Sequence, residues 1–158
     1  MSTAVVVTVS TRAASGVYDD EAGPAVADVL RAMGLEVLDI VVVPDGRDGV
    51  AEALRTACER ADVVVTSGGT GLHPRDATPE ATLDVVERLV PGVAEAMRAA
   101  SLAATPMGML SRAVAGIRGS TLVVNLPGSP QGARENLEVL RPVLRHAIDQ
   151  LHGGDHPR

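Results

Sequence analysis

Short β-branched runs alternate along the chain with stretches in which apolar positions recur every three or four residues. Ala4 to Val9 is apolar apart from Thr8 and closes on Ser10-Thr11-Arg12, which predicts a buried strand feeding a loop. Pro24 suits the first turn of a helix whose apolar face is Val26, Val29, Leu30 and Met33, with Gly34 ending it. Glu36 to Val43 predicts a second strand, Pro44-Asp45-Gly46 breaks it, and Asp48 is expected to cap a helix running to about Arg60. Val63 to Thr66 predicts a third strand. After a glycine-rich loop, Thr78 as N-cap and Pro79 at the first helical position are expected to open the next helix, and another covers Gly92 to Ala103. Ala113 to Ile117 and Thr121 to Asn125 flank Arg118-Gly119-Ser120 as a hairpin with a buried second strand. A helix from about Gln131 to Leu151 follows, bent or restarted at Pro142, and the tail from Gly153 reads as loose.

Strands separated by helices predict an α/β three-layer sandwich: a mostly parallel sheet with helices on both faces and a small antiparallel hairpin. With 158 residues and 46% hydrophobic positions, residues 1–152 read as one domain and 153–158 as its tail. In such sheets ligands bind beyond the carboxyl ends of the strands. Four strand ends carry chemistry here: Ser10-Thr11-Arg12, Pro44-Asp45-Gly46, Thr66 through Asp76, and Asn125 through Ser129. The loop Ser67-Gly68-Gly69-Thr70-Gly71, followed by Arg75 and Asp76, suits a phosphate that must approach backbone N–H groups. Its spacing is not that of the dinucleotide-binding fingerprint. Asp45 and Asp76 are the acidic candidates; two carboxylates near phosphates naturally hold Mg²⁺, although turn-forming and capping roles explain them equally well. Arg12, Arg47, Arg75 and Arg112 are the cations available to a phosphate.

Composition removes several chemistries. All fourteen basic residues are arginine, so Schiff bases and a P-loop lysine are excluded. A net charge of −6 without a basic stripe argues against a nucleic-acid partner. Cys58 is the single cysteine, which removes intrachain disulfides and cysteine metal clusters, fits the cytoplasm, and reads as a buried helix residue. No run reaches transmembrane length and no secretory leader is recognisable. His73, His146, His152 and His156 lack ligand spacing; surface roles are expected for the last three. Tyr18 is the only aromatic residue, so a flat ligand ring would rest mostly on aliphatic, glycine or arginine surfaces.

Thr66-Ser-Gly-Gly-Thr-Gly71, Pro74-Arg-Asp76, Thr78-Pro-Glu-Ala-Thr82 and Asn125-Leu-Pro-Gly-Ser129 resemble the molybdenum-cofactor biosynthesis proteins of the MogA/MoaB type. Ser10 to Tyr18, Pro44-Asp45, Pro91-Gly92 and Leu110-Ser-Arg112 extend the resemblance over nearly the whole chain. It implies a molybdopterin-binding fold and a molybdopterin adenylyltransferase: the terminal phosphate of molybdopterin attacks the α-phosphate of MgATP and releases pyrophosphate. By this resemblance Asp45 and Asp76 are the functional aspartates and Mg²⁺ ligands. Ser10, Thr66, Ser67, Gly68, Gly69, Thr70, Gly71, Arg75, Thr78, Asn125, Pro127, Gly128 and Ser129 line the substrate pocket. It also implies a cytoplasmic homotrimer or hexamer and a molybdenum-insertion partner. Thr11 stands where many relatives carry Asp, and Gly46 where many carry a second acid, which lowers the local negative charge. Two other readings remain at this level: a protein that binds molybdopterin without adenylylating it, and a nucleotide pyrophosphatase of the competence-damage type.

Overall fold

A computed structural model describes residues 1–155 and orders them as β1 (Thr3–Val9), α1 (Thr11–Ala14), α2 (Ala22–Ala32), β2 (Glu36–Val43), α3 (Arg47–Cys58), β3 (Val63–Ser67), α4 (Thr78–Val85), β4 (Arg88–Leu89), α5 (Pro91–Ala104), a 3-10 helix (Pro106–Leu110), β5 (Ala115–Arg118), β6 (Thr121–Leu126), α6 (Pro130–Leu140) and α7 (Leu144–Leu151). The six strands make one sheet in the order β2-β1-β3-β6-β5-β4. β2, β1, β3 and β6 run parallel, and β5 and β4 are antiparallel to their neighbours.

Alternation along the strands builds two cores. Ala4, Val6, Val63, Val65, Leu122 and Val124 face α2, α5, α6 and α7, while Val5, Val7, Val9, Val64 and Val123 face α3 and α4. The central strands are buried on both faces, which is why their sequences are continuous apolar runs. This is the three-layer sandwich expected from the sequence.

Several local expectations are corrected. The N-cap expected at Thr78 falls on Ala77, and Pro79 becomes the second helical residue, because the Thr78 hydroxyl is turned away to donate to the Gly68 carbonyl at 2.9 Å. Asp48 does not cap α3; Gly46 does, leaving Asp48 in the first turn, where a carboxylate still suits the helix dipole. β4 joins the hairpin as a third antiparallel strand, although two residues carry too little pattern to be read. The long C-terminal helix is interrupted between Leu140 and Leu144, the restart expected from Pro142. Cys58 is half-buried rather than buried, and burial pushes its thiol up to about 11, so it is no thiolate nucleophile at neutral pH. Gly153 and Gly154 donate to Gln150 and Asp149 carbonyls and close the last turn of α7. His152 lies 2.8 Å from Asp62, and His156, with the rest of 156–158, lies outside the described residues.

Candidate active site

The chain passes from β1 to β2 on one side and then crosses back to β3 on the other side of β1, and the crevice opened by that reversal is where an α/β sheet takes its ligand. A cavity of about 730 Å³ occupies this position. Ser10 and Thr11 line it from the end of β1, Asp45 from the end of β2, Ser67 to Gly69 from the end of β3, and Gly128 from beyond β6.

Backbone demands explain the glycines. Gly68 and Gly69 have φ of +102° and +70°, a region costly for other residues. A Cβ at Gly68 would run into the Val9 carbonyl, and one at Gly128 would stand 3.4 Å from the Gly68 Cα. Bare backbone therefore floors the cavity between three strand ends. The same loop receives both aspartates: a Cβ at Gly69 would lie 3.3 Å from Asp45 Oδ1, and one at Gly71 would lie 2.9 Å from Asp76 Oδ2.

The loop is anchored from behind. Asn125 Nδ2 donates to Thr66 Oγ1 at 3.1 Å and to Thr82 Oγ1 at 2.9 Å, Thr82 Oγ1 donates to the Thr78 carbonyl, and Thr78 Oγ1 donates to Gly68 O. Thr66, Thr78 and Asn125 are fully buried, so the structure places them behind the cavity wall. Thr70 is also buried, Ser67 Oγ donates to Pro127 O at 2.7 Å, and Ser129 caps α6 through Gly132 N. Of the residues expected to bind substrate, Ser10, Ser67, Gly68, Gly69, Arg75 and Gly128 reach the cavity with Asp45 and Asp76.

The four candidate arginines separate cleanly. Arg47 is committed to Asp84 through two contacts of 2.7 Å. Arg112 donates to the Gly71 and Asp76 carbonyls at 2.8 Å each and pairs with Glu80, whose carboxyl it holds below the usual range. Its cation is spent on holding the loop. Arg12 and Arg75 line the cavity and make no ion pair among the described residues, which leaves them for an anion.

Sequence reasoning did not single out three further cavity residues. Tyr18 reaches in with its hydroxyl 3.0 Å from Ser10 Oγ, and its status as the sole aromatic was the available signal. Asp20 accepts from Thr8 Oγ1 and Gly23 N, a role set by contacts that no motif announces. His73 lines the opening and accepts from Arg75 N through Nδ1.

A family model described as a probable molybdopterin binding domain matches residues 5–146. The chain belongs to this family. It is 42% identical to the molybdopterin adenylyltransferase of Helicobacter pylori strain J99, over 94% of this chain and 86% of that protein. It is 35% identical to a molybdenum cofactor biosynthesis bifunctional protein of Synechococcus elongatus, over 97% of this chain and 48% of that one. The crystal structure of the molybdopterin biosynthesis enzyme MoaB from Thermus thermophilus superposes with a TM-score of 0.91 at 46% identity, covering 97% of this chain and 98% of the other. The family's shared region thus includes every strand end that builds the cavity. No helix among the described residues is long and apolar enough to cross a membrane.

Proposed function

We propose that the chain transfers the adenylyl group of MgATP to the terminal phosphate of molybdopterin. An oxygen of that phosphate attacks the α-phosphorus of ATP, the bond from the α-phosphorus to the bridging oxygen breaks, and pyrophosphate leaves. The nucleophile belongs to the substrate, so the protein needs no activated side chain, in keeping with the inert Cys58. Its work is to bind and align. The Gly68 and Gly71 N–H groups donate to Leu126 O and Asp76 Oδ2, so the Gly69 N–H, with Arg12 and Arg75, takes phosphate oxygens, and the cavity brings the two reacting groups together.

The observation that carries the reading is the meeting of Asp45 and Asp76 on one glycine loop at the reversal of strand order. Asp19, Asp20, Glu21, Asp45 and Asp76 line the cavity against two arginines, Arg12 and Arg75, so a polyphosphate entering it needs a further cation. Among the described residues no group of three or more His, Cys, Asp or Glu side chains could hold a metal alone. Two carboxylates completed by substrate phosphates suit Mg²⁺, which binds through one or two carboxylates and keeps waters. Asp45 and Asp76 would hold it, and when bound it offsets charge on the reacting phosphates.

A homotrimer, with a hexamer as the larger alternative, fits the exposed apolar stretch of Leu102, Met107, Met109 and Leu110. A molybdenum-insertion partner fits the bifunctional relative, in which this chain covers about half. Purified protein incubated with molybdopterin, ATP and Mg²⁺ should release pyrophosphate in step with adenylylated product. Binding without pyrophosphate release would replace transfer by a carrier role, and ADP-ribose hydrolysis without transfer would replace it by pyrophosphatase activity.

A further inference from the structure

One wall of the cavity depends on a contact that adenylyl transfer does not by itself require. Where β1 and β2 end, Ser10 N donates to Val43 O at 2.9 Å, joining the two exits. Just beyond, Thr11 and Asp45 make three contacts. Thr11 Oγ1 donates to Asp45 Oδ2 at 2.7 Å, Thr11 N donates to the same oxygen at 3.3 Å, and Asp45 N donates back to Thr11 Oγ1 at 3.2 Å.

The hydroxyl therefore spends its one proton on the carboxylate while accepting from the same residue's backbone. This ties the side chain of Asp45 to its own main chain. Oδ2 is engaged twice, whereas Oδ1 accepts no hydrogen bond among the described residues and lies on the Gly69 side. An ionised carboxylate at position 11 could not reproduce the arrangement, because it has no proton to donate and would repel Asp45.

We infer that Thr11 is a positioning residue that locks Asp45 through Oδ2, so that Oδ1 is presented to a divalent cation arriving with the nucleotide. The inference rests on the proposed function only in giving Asp45 that cation. Thr11 touches no reacting atom; it acts by removing the carboxylate's rotational freedom before the ligand arrives.

Mn²⁺–ATP serves as the probe, with water-proton relaxation reporting the ternary complex and Tyr18 emission reporting metal-free ATP. Thr11→Val should weaken Mn²⁺–ATP binding roughly 10- to 100-fold. Metal-free ATP binding should fall far less than that, and the melting temperature should drop by only a few degrees as the two part-buried bonds of the hydroxyl are lost. Thr11→Ser, which keeps the hydroxyl, should restore Mn²⁺–ATP affinity. In an Asp45→Asn background, Thr11→Val should add no further loss. Wild-type Mn²⁺–ATP affinity in Thr11→Val, beside an impaired Asp45→Asn, would overturn this inference and leave the proposed function standing. Equal losses in Thr11→Val and Thr11→Ser, or an additive loss in the double variant, would also overturn it. Wild-type affinity in Asp45→Asn would remove the metal role of Asp45 and this inference together.

Discussion

The two sides of the cavity are built on different principles. The glycine-loop side is held by partners far away in sequence: Ser67 to Pro127 across 60 residues, Gly71 to Arg112 across 41, and Asp76 to Arg112 across 36. The facing side, from Arg12 to Tyr18, is held by neighbours. Its backbone bonds run from Ser15 to Thr11, Gly16 to Ala13 and Val17 to Arg12, and Tyr18 reaches only to Ser10. A segment whose bonds are local can open without disturbing the sheet, whereas the glycine loop moves only if distant elements move with it. The contrast suits a site with a fixed polyphosphate floor and a facing wall that adapts as substrates enter and products leave.

The largest expected effect falls on the fixed side's carboxylate. Asp76→Asn keeps an oxygen for the Gly71 and His73 N–H groups, so folding should survive. Turnover should fall on the order of 10²-fold or more, because charge at the reacting phosphates loses its organiser. Pyrophosphate release at saturating substrate measures this, and near-normal turnover would remove Asp76 from the reaction. If Asp45 shares the work, the double change should cost far less than the product of the single losses.

Next in size is the difference between two arginines. Arg112→Ala removes two anchors of the glycine loop together with the pair to Glu80 on α4 and should cost about 2 kcal/mol, as expected when hydrogen bonds to a charged group are lost. Arg12→Ala touches no structural partner and should change stability by less than about 0.5 kcal/mol while weakening ATP binding. Thermal melts and ATP titrations run on both variants give the answer. Equal stability losses would mean that the two walls are held alike.

Much of this division was legible in the sequence, but unevenly. Val5 to Val7, Val63 to Val65 and Leu122 to Val124 form continuous apolar runs because the central strands are buried on both faces, so their signal is local and strong. Gly68 and Gly69 were legible as a ligand loop because the backbone itself demands them. Arg112 was readable only as one more cation, since its role depends on Gly71 and Asp76 being folded against it. Thr11 stood out as a departure, but its contact with Asp45 spans 34 residues and has no local signature. Thr78 misled for the same reason: its hydroxyl answers Gly68 instead of its own helix.

A smaller effect distinguishes the anchors by pH. Its hydrogen bond from Arg112 holds the Glu80 carboxyl below the ordinary range. A lowered folded value means that the stabilisation is complete above the unfolded carboxyl value of about 4.3 and is lost as pH falls through the folded value. The stability advantage of the wild type over Glu80→Gln should therefore be flat near neutrality and shrink below about pH 4.3. Urea unfolding from pH 7 to 3 measures it. A difference that stays constant to pH 3 would mean that the pair contributes through shape and not charge.

The smallest expected effect tests the adaptable wall directly. Tyr18 is the only aromatic residue, so all intrinsic emission comes from this side of the cavity, and the residue is 50% exposed. Losing the hydroxyl in Tyr18→Phe breaks one exposed hydrogen bond to Ser10 and should shift stability by less than about 0.5 kcal/mol. In the wild type, saturating ATP should raise the anisotropy of Tyr18 emission, because a segment held by local bonds gains order only when ligand spans the cavity. If anisotropy is unchanged while a separate titration shows ATP bound, the Arg12 to Tyr18 side is already as fixed as the glycine loop. The proposed difference between the walls would then be one of chemistry alone.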